Sequence, residues 1–256
     1  MLRTVHDRQE LAALFEPDPG LHLYELGDLD DYFWPYTTCY RMPAGRTAAL
    51  VYTGAAFGPL LLALGRPDTA AEQRELLSAL QPVLPRSFYA HVTNGAEDVL
   101  SDYRVSDHGV HLKMLLKGFA PASGEPVVRL GPDDLTELQE LYAAAYPDNS
   151  FDPRMLGAGE YAGIRRDGRL VAVAGVHIHS RSRRIAALGN VTTLPELRGQ
   201  GLAAVAASAL CRTLLSTVDH IGLNVQADNT AAVSLYQRLG FEITAEYREM
   251  AVTSCC

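Results

Sequence analysis

The stretch of this chain best equipped to hold a ligand is Arg198-Gly199-Gln200-Gly201-Leu202-Ala203. Val191, Thr192 and Thr193, all β-branched, precede it and favour a strand, which Pro195 ends. An Ala-rich helix follows, from Gly201 to about Thr217. A strand, a glycine turn and a helix N-terminus in that order make an anion site. The turn amides are unpaired, glycine lets a ligand reach the main chain, and the helix dipole favours negative charge. Arg198 adds a cation at the mouth. No Lys-Ser or Lys-Thr follows the glycines, so this is not a Walker loop. The third small residue of the dinucleotide fingerprint is also missing from its required spacing.

A second constellation lies further on, in Asp228-Asn229-Thr230-Ala231-Ala232-Val233-Ser234-Leu235-Tyr236-Gln237-Arg238-Leu239-Gly240-Phe241. Asn229 and Tyr236 are two helical turns apart and share one face. Taken singly, Asn229 serves as a helix cap and Tyr236 as a half-buried core tyrosine. Together the two segments resemble the R-x-x-G-x-G/A and N-x-x-A-x-x-x-Y-x-x-x-G-F motifs of the GCN5-related N-acetyltransferases (GNAT). The resemblance covers Val127 to the C-terminus, and over the first half it is only architectural.

The resemblance implies acyl transfer from a thioester, acetyl-CoA, to an amine by direct attack. The backbone of Val191, Thr192 and Thr193 would bind the pantetheine arm, and one of those N–H groups would polarise the thioester carbonyl. The amides of Gly199, Gln200, Gly201, Leu202 and Ala203, with Arg198, would hold the pyrophosphate. Asn229 would bind pantetheine, and Tyr236 would protonate the departing sulfur. Many relatives carry a Glu or His on the strand before the glycine turn. Here that strand is Ile185-Ala186-Ala187-Leu188-Gly189-Asn190, with neither. His177 and His179, on one face of the preceding strand, Glu246 and Glu249 on the last strand, and water remain as routes for the amine's proton. The missing base keeps open a non-catalytic acyl-CoA-binding protein, and tandem forms of this fold keep open an aminoacyl-tRNA-dependent transferase.

The elements that must position these residues are those of an α/β (α+β) chain, a mixed central sheet flanked by helices. In the second half, the pattern predicts a strand over Val127 to Leu130 and a helix from Pro132 to about Tyr146. A hairpin turning at Asp167-Gly168, a strand over Ile221 to Val225, a helix from Asn229 to Leu239 and a strand over Phe241 to Ala251 follow. In the first half, helices are expected over Leu2 to Phe15, His22 to Asp31, Thr69 to Leu84 and Ala96 to Tyr103. Strands are expected over Ala48 to Thr53, Pro59 to Leu64, Ser87 to Val92 and Gly109 to Leu116. The aromatic run Tyr32-Phe33-Trp34-Pro35-Tyr36 reads as core, with a pocket wall as the alternative.

Lys117 to Pro126, rich in Gly, Pro and Ser, is the best linker. It suggests domains at 1–118 and 127–256 with 119–126 between them. The halves look like one α/β unit in tandem, His91-Val92-Thr93-Asn94-Gly95 through Tyr103 paralleling Asn224 through Tyr236. After Leu64 the first copy has Gly65-Arg66-Pro67-Asp68-Thr69-Ala70, without the glycine turn, so it keeps the shape and loses the anion site.

At 256 residues and 48% hydrophobic content the chain can bury two cores. A net charge of −8 argues against a nucleic-acid binder, and no apolar run reaches membrane-spanning length. Cys39, Cys211, Cys255 and Cys256 have no metal-ligand or disulfide spacing. They are expected to be reduced thiols in a cytoplasm, the last two at a frayed end, and no metal is expected. The acidic balance suits a small cationic amine as acceptor.

Overall fold

The computed structural model describes all residues except 44, 56, 94, 159, 255 and 256. The readings made for Asn94, Cys255 and Cys256 therefore fall outside the described residues. The described chain is mixed α/β and forms two compact units.

The first unit takes in Met1–Lys113, Val225–Asn229 and Ile243–Cys256. Its strands are β1 (Arg3–Val5), β2 (Thr37–Arg41), β3 (Ala49–Tyr52), β4 (Leu60–Ala63), β5 (Ser87–Thr93) and most of β6 (Tyr103–Leu116) and β12 (Phe241–Ser254). β1 to β4 are antiparallel neighbours, β4 and β5 run parallel, and β12 closes antiparallel on β5, Tyr247 opposite Thr93. The 14-residue tail from Ile243 thus belongs with the first unit, where a single cut at 119–126 would not put it. Helix α3 (Ala70–Leu80) buries Leu76, Leu77 and Leu80 against Leu61, Phe88, Val92 and Met250. These leucines recur at helical spacing, which places them on one face of α3.

Helix α1 begins only at Arg8 and runs to Phe15, not from Leu2. The Asp7 carboxylate accepts the Gln9 and Glu10 amides and starts the helix there, leaving Arg3–Val5 free to pair with β2. Helix α2 (Pro19–Gly27) stops short of Asp31. The aromatic run is not core: Tyr32 and Tyr36 are 43% and 48% exposed, and the Arg8 guanidinium lies 5.5 Å over the Trp34 ring. Residues Glu97–Leu100 make a single 3-10 turn rather than a helix to Tyr103.

Behind β5, β6 and β12 lies a buried polar network. Glu249 accepts from the Tyr89 hydroxyl at 2.7 Å and the Tyr247 hydroxyl at 2.5 Å, with His91 Nε2 at 3.3 Å. Burial pushes the His91 imidazole down to about 4, against the pull of Glu249. His91 is therefore neutral, with Nε2 facing the carboxylate. The Lys113 ammonium sits 5.0 Å from the Tyr24 ring and 5.3 Å from the Tyr247 ring.

The second unit takes in Met114–Asn224 and Thr230–Glu242. Its strands are β7 (Val127–Leu130), β8 (Tyr161–Arg166), β9 (Arg169–Ser180), β10 (Ile185–Thr193) and β11 (His220–Gln226), neighbours in that order. β7 to β10 are antiparallel and β10 runs parallel to β11. The β8–β9 turn has Asp167 at φ 51° and Gly168 at φ 81°, the primed turn its sequence predicts. Helices α4 (Leu135–Ala145), α5 (Pro153–Ala158), α6 (Leu202–Leu214) and α7 (Thr230–Arg238) complete it. α5 covers a stretch for which the sequence pattern predicts no element.

Residues 119–126 are irregular but held. The Ala122 amide donates to Ser208 Oγ at 3.0 Å and the Ala120 amide to the Leu239 carbonyl at 3.0 Å. A Cβ at Gly124 would stand 2.6 Å from Val205 Cγ2. Gly240 ends α7 at φ 97°, and a Cβ there would fall 1.7 Å from the Gly118 carbonyl oxygen. No helix among the described residues is long and apolar enough to cross a membrane.

Two outcomes follow. Gly240→Ala should cost more than the roughly 1–3 kcal/mol of left-handed strain alone, read by denaturant unfolding, because the Gly118 backbone must also move. The His91 imidazole titrates near 6.5 when unfolded and about 4 when folded. Unfolded chain thus binds the extra proton, so stability should fall as pH drops from about 6.5 to 4, by at most about 1.4 kcal/mol per pH unit, and be level in this respect above. His91→Gln should flatten that window in a pH series of unfolding curves.

Candidate active site

The site is built where β10 parts from β11. The two strands pair in register from Ile185–His220 to Leu188–Leu223, and there the ladder ends although β10 continues to Thr193. On its other side β10 pairs with β9, but irregularly. Gly189 faces Gly175 and Thr192 faces Val173, so Asn190 and Val191 oppose Ala174 alone. This is a β-bulge, with Asn190 in the left-handed region at φ 53°. Asn is among the few non-glycine residues that adopt that conformation readily.

The Leu194 amide donates to the Val171 carbonyl, on the β9 side. N–H groups alternate in direction along a regular strand, so that of Thr193, past the bulge, points away from β9. It enters the space where β11 no longer pairs. Thr192 and Thr193 are buried and Val191 half-buried. Beyond the last paired residues, Thr193 Oγ1 and Asn224 Oδ1 are buried with no hydrogen-bond partner among the described residues. A ligand amide laid along these strands would satisfy them.

A 3-10 turn over Pro195–Leu197 leads to the glycine turn. Gly199 and Gly201 have φ of 77° and 81°, and nothing lies within 4 Å of a Cβ built on either. Both glycines are thus required by conformation, and they leave open space above the main chain. Gly201 is the N-cap of α6 and no side chain caps the helix. The first-turn amides of Leu202 and Ala203 have no intrahelical acceptor. This is where a phosphate would be held.

Arg198 stands elsewhere than a free cation would. Its Nη2 donates to the Ala145 carbonyl at 2.8 Å, in the last turn of α4, which braces the glycine turn against that helix. Gln200 accepts from Arg166 Nη1 at 2.8 Å, and Arg166 also pairs with Glu125. Tyr236 is buried on α7, its ring 5.8 Å from that of Phe241 in an edge contact. Burial, then Cys211 and Tyr146, raise its phenol well above the ordinary range, so it keeps its proton at any physiological pH. Asn229 lies exposed just before α7 and counts with the first unit.

Of the candidate bases, His177 occupies the bulged position of β9, where Ala187 faces Ile178 and Leu188 faces Val176. A Cβ at Gly189 would lie 2.3 Å from its ring, so the imidazole rests on the β10 backbone. His179 is half-buried further along β9. Glu246 is exposed, and Glu249 is engaged in the network of the first unit. No group of His, Cys, Asp or Glu suited to a metal ion occurs among the described residues. Cys39 and Cys211 are buried and not in disulfides; burial raises both thiols, Cys211 to about 12, so neither is a ready nucleophile.

Sequence patterns did not reveal Asn190, Tyr142 or Asn224. Tyr142, on α4, donates its hydroxyl to the Asn190 carbonyl at 2.9 Å. Only Asn190, a turn-type residue inside an apolar strand, offered a signal. In the first unit the segment after β4 carries its own ion pair beside a cavity of about 180 Å³. Arg66 pairs with both carboxylate oxygens of Asp18, at 2.5 and 2.8 Å, and donates to the Thr244 carbonyl at 2.6 Å.

This is the mixed α/β fold of the GNAT superfamily. Residues 130–241 match the Acetyltransferase (GNAT) family. A stretch of 102 residues is 34% identical to the mycothiol acetyltransferase of Streptomyces griseus, covering 38% of this chain and 31% of that protein. The match thus spans less than a third of the relative's length. The structure of a Drosophila protein aligns over 100% of this chain and 99% of its own, at a TM-score of 0.75 and 16% identity. A tandem GNAT protein from the clavulanic acid biosynthesis pathway aligns over 98% of each chain, at 0.55 and 14%.

If the uncapped turn holds pyrophosphate, Gly201→Ala should weaken coenzyme A binding about tenfold by calorimetry, while costing only about 1–2 kcal/mol of stability.

Proposed function

We propose that the chain is an acetyl-CoA-dependent N-acetyltransferase that acts on the amine of a small molecule, with its chemistry in residues 127–256. The observation that carries this reading is the parting of β10 from β11 at Leu188–Leu223, leading into a glycine turn and an uncapped helix. The relatives named for mycothiol acetylation support a small-molecule acceptor.

Acetyl-CoA supplies an acyl group activated as a thioester. The amides from Gly199 to Ala203 bind its pyrophosphate, with Arg198 fixing the turn rather than meeting the phosphates. The main chain of Val191, Thr192 and Thr193 binds the pantetheine arm, joined by Asn229. Thr193 Oγ1 and Asn224 Oδ1 offer further polar atoms to it. The Val191 N–H donates to the thioester carbonyl, where negative charge grows as the amine attacks. Tyr236, held as a neutral phenol, gives its proton to the departing sulfur. β10 carries no carboxylate or imidazole, so the amine's proton leaves through His177 on β9 or through water.

The test is thiol release from acetyl-CoA with a panel of small amines, for wild type beside Tyr236→Phe. We expect release that requires an amine and falls about 10- to 100-fold in the variant. Tight acetyl-CoA binding with no release for any amine would favour a binding protein instead, a reading that the base-free strand supports. Failure to bind acetyl-CoA would remove both.

A further inference from the structure

We infer that Tyr142 and Asn190 are positioning residues, which together fix the direction of the Val191 N–H. The inference rests on the function proposed above and assigns work to two residues outside the motifs that suggested it.

The Asn190 carbonyl and the Val191 N–H belong to one planar unit, and no described peptide bond is cis. They therefore point in opposite directions. Tyr142 donates to that carbonyl at 2.9 Å from α4. Holding the oxygen holds the N–H.

The bulge makes this brace necessary. Within it the β9 ladder is broken, so the Asn190 carbonyl needs another donor. It belongs to a residue that is only 4% exposed. Tyr142 is 3% exposed and its phenol is raised by burial, so it stays a donor. Asn190 supplies the other half of the constraint. At φ 53° it accepts a backbone shape that β-branched residues resist. Its side-chain nitrogen stands 3.5 Å from the Tyr161 hydroxyl and 3.9 Å from Met155 Sδ, which keep the amide inside the unit. A hydrogen bond to a carbonyl also polarises the amide, so the hydroxyl strengthens the N–H as well as aiming it.

The experiment compares wild type, Tyr142→Phe, Asn190→Gly and Asn190→Val. Each is measured by thermal unfolding, by steady-state thiol release, and by the infrared carbonyl stretch of carbon-13 acetyl-CoA bound without an amine. Tyr142→Phe removes one oxygen and should fold. It should lower kcat about five- to tenfold, leave the KM for acetyl-CoA within about twofold, and shift the bound carbonyl stretch toward its value in water. Asn190→Gly, free to take the same φ, should keep kcat within about threefold, and Asn190→Val should lose more than Tyr142→Phe. Unchanged kcat and carbonyl stretch in Tyr142→Phe, with an active wild type, would overturn this inference and spare the proposed function. A loss falling wholly in KM would do the same. A wild type that binds no acetyl-CoA would overturn the function and the inference together.

Discussion

The second unit depends on a ladder that stops early. Two parallel strands in register would ordinarily pair to their ends, yet β10 and β11 part at Leu188–Leu223. Each residue past that point has main-chain groups that a sheet would normally consume. Buried backbone must find partners, so an unfinished ladder is costly unless something else completes it. The bulge at Asn190, the left-handed Gly199 and Gly201 and the uncapped α6 come next along the chain, so groups without ladder partners are concentrated in one stretch.

The first unit carries a different turn at its own strand-to-helix passage. Its α3 begins after Gly65-Arg66-Pro67-Asp68-Thr69, where Arg66 is engaged by Asp18. A side chain of the unit itself takes up that cation, whereas the turn before α6 is left uncapped. The first unit also carries polar groups too buried to be ordinary surface, with Glu249 sharing two hydroxyls and an imidazole. Such a network fixes a packing arrangement but yields little net stability, since burying each group is itself costly. Its role is therefore closer to specification than to glue.

Much of this was legible in the residues. The Asp167-Gly168 hairpin, the leucine face of α3, and the glycine turn before α6 each rest on local chemistry, and each is found where expected. What escaped depends on partners distant in sequence. Arg3–Val5 is a strand because β2 lies beside it, though the Asp7 cap was a local hint that the helix starts later. The aromatic run around Trp34 is composed like a core, but its surroundings leave Tyr32 and Tyr36 in solvent. Arg198 matched a motif by its position, yet its hydrogen bond to Ala145 is invisible without the helix that carries it. The bulge escaped for the same reason, because register belongs to two strands and not to one.

The closure of β5 by β12 has a consequence for how the chain is made. β5 ends at Thr93, but the strand that covers it runs to Ser254. Synthesis proceeds from the N-terminus, so residues 1–113 must wait through the whole second unit for their last strand. Until then β5 presents an unpaired edge, the kind of surface on which nascent chains pair wrongly. The usual order of vectorial folding is inverted: the half made first is the half completed last.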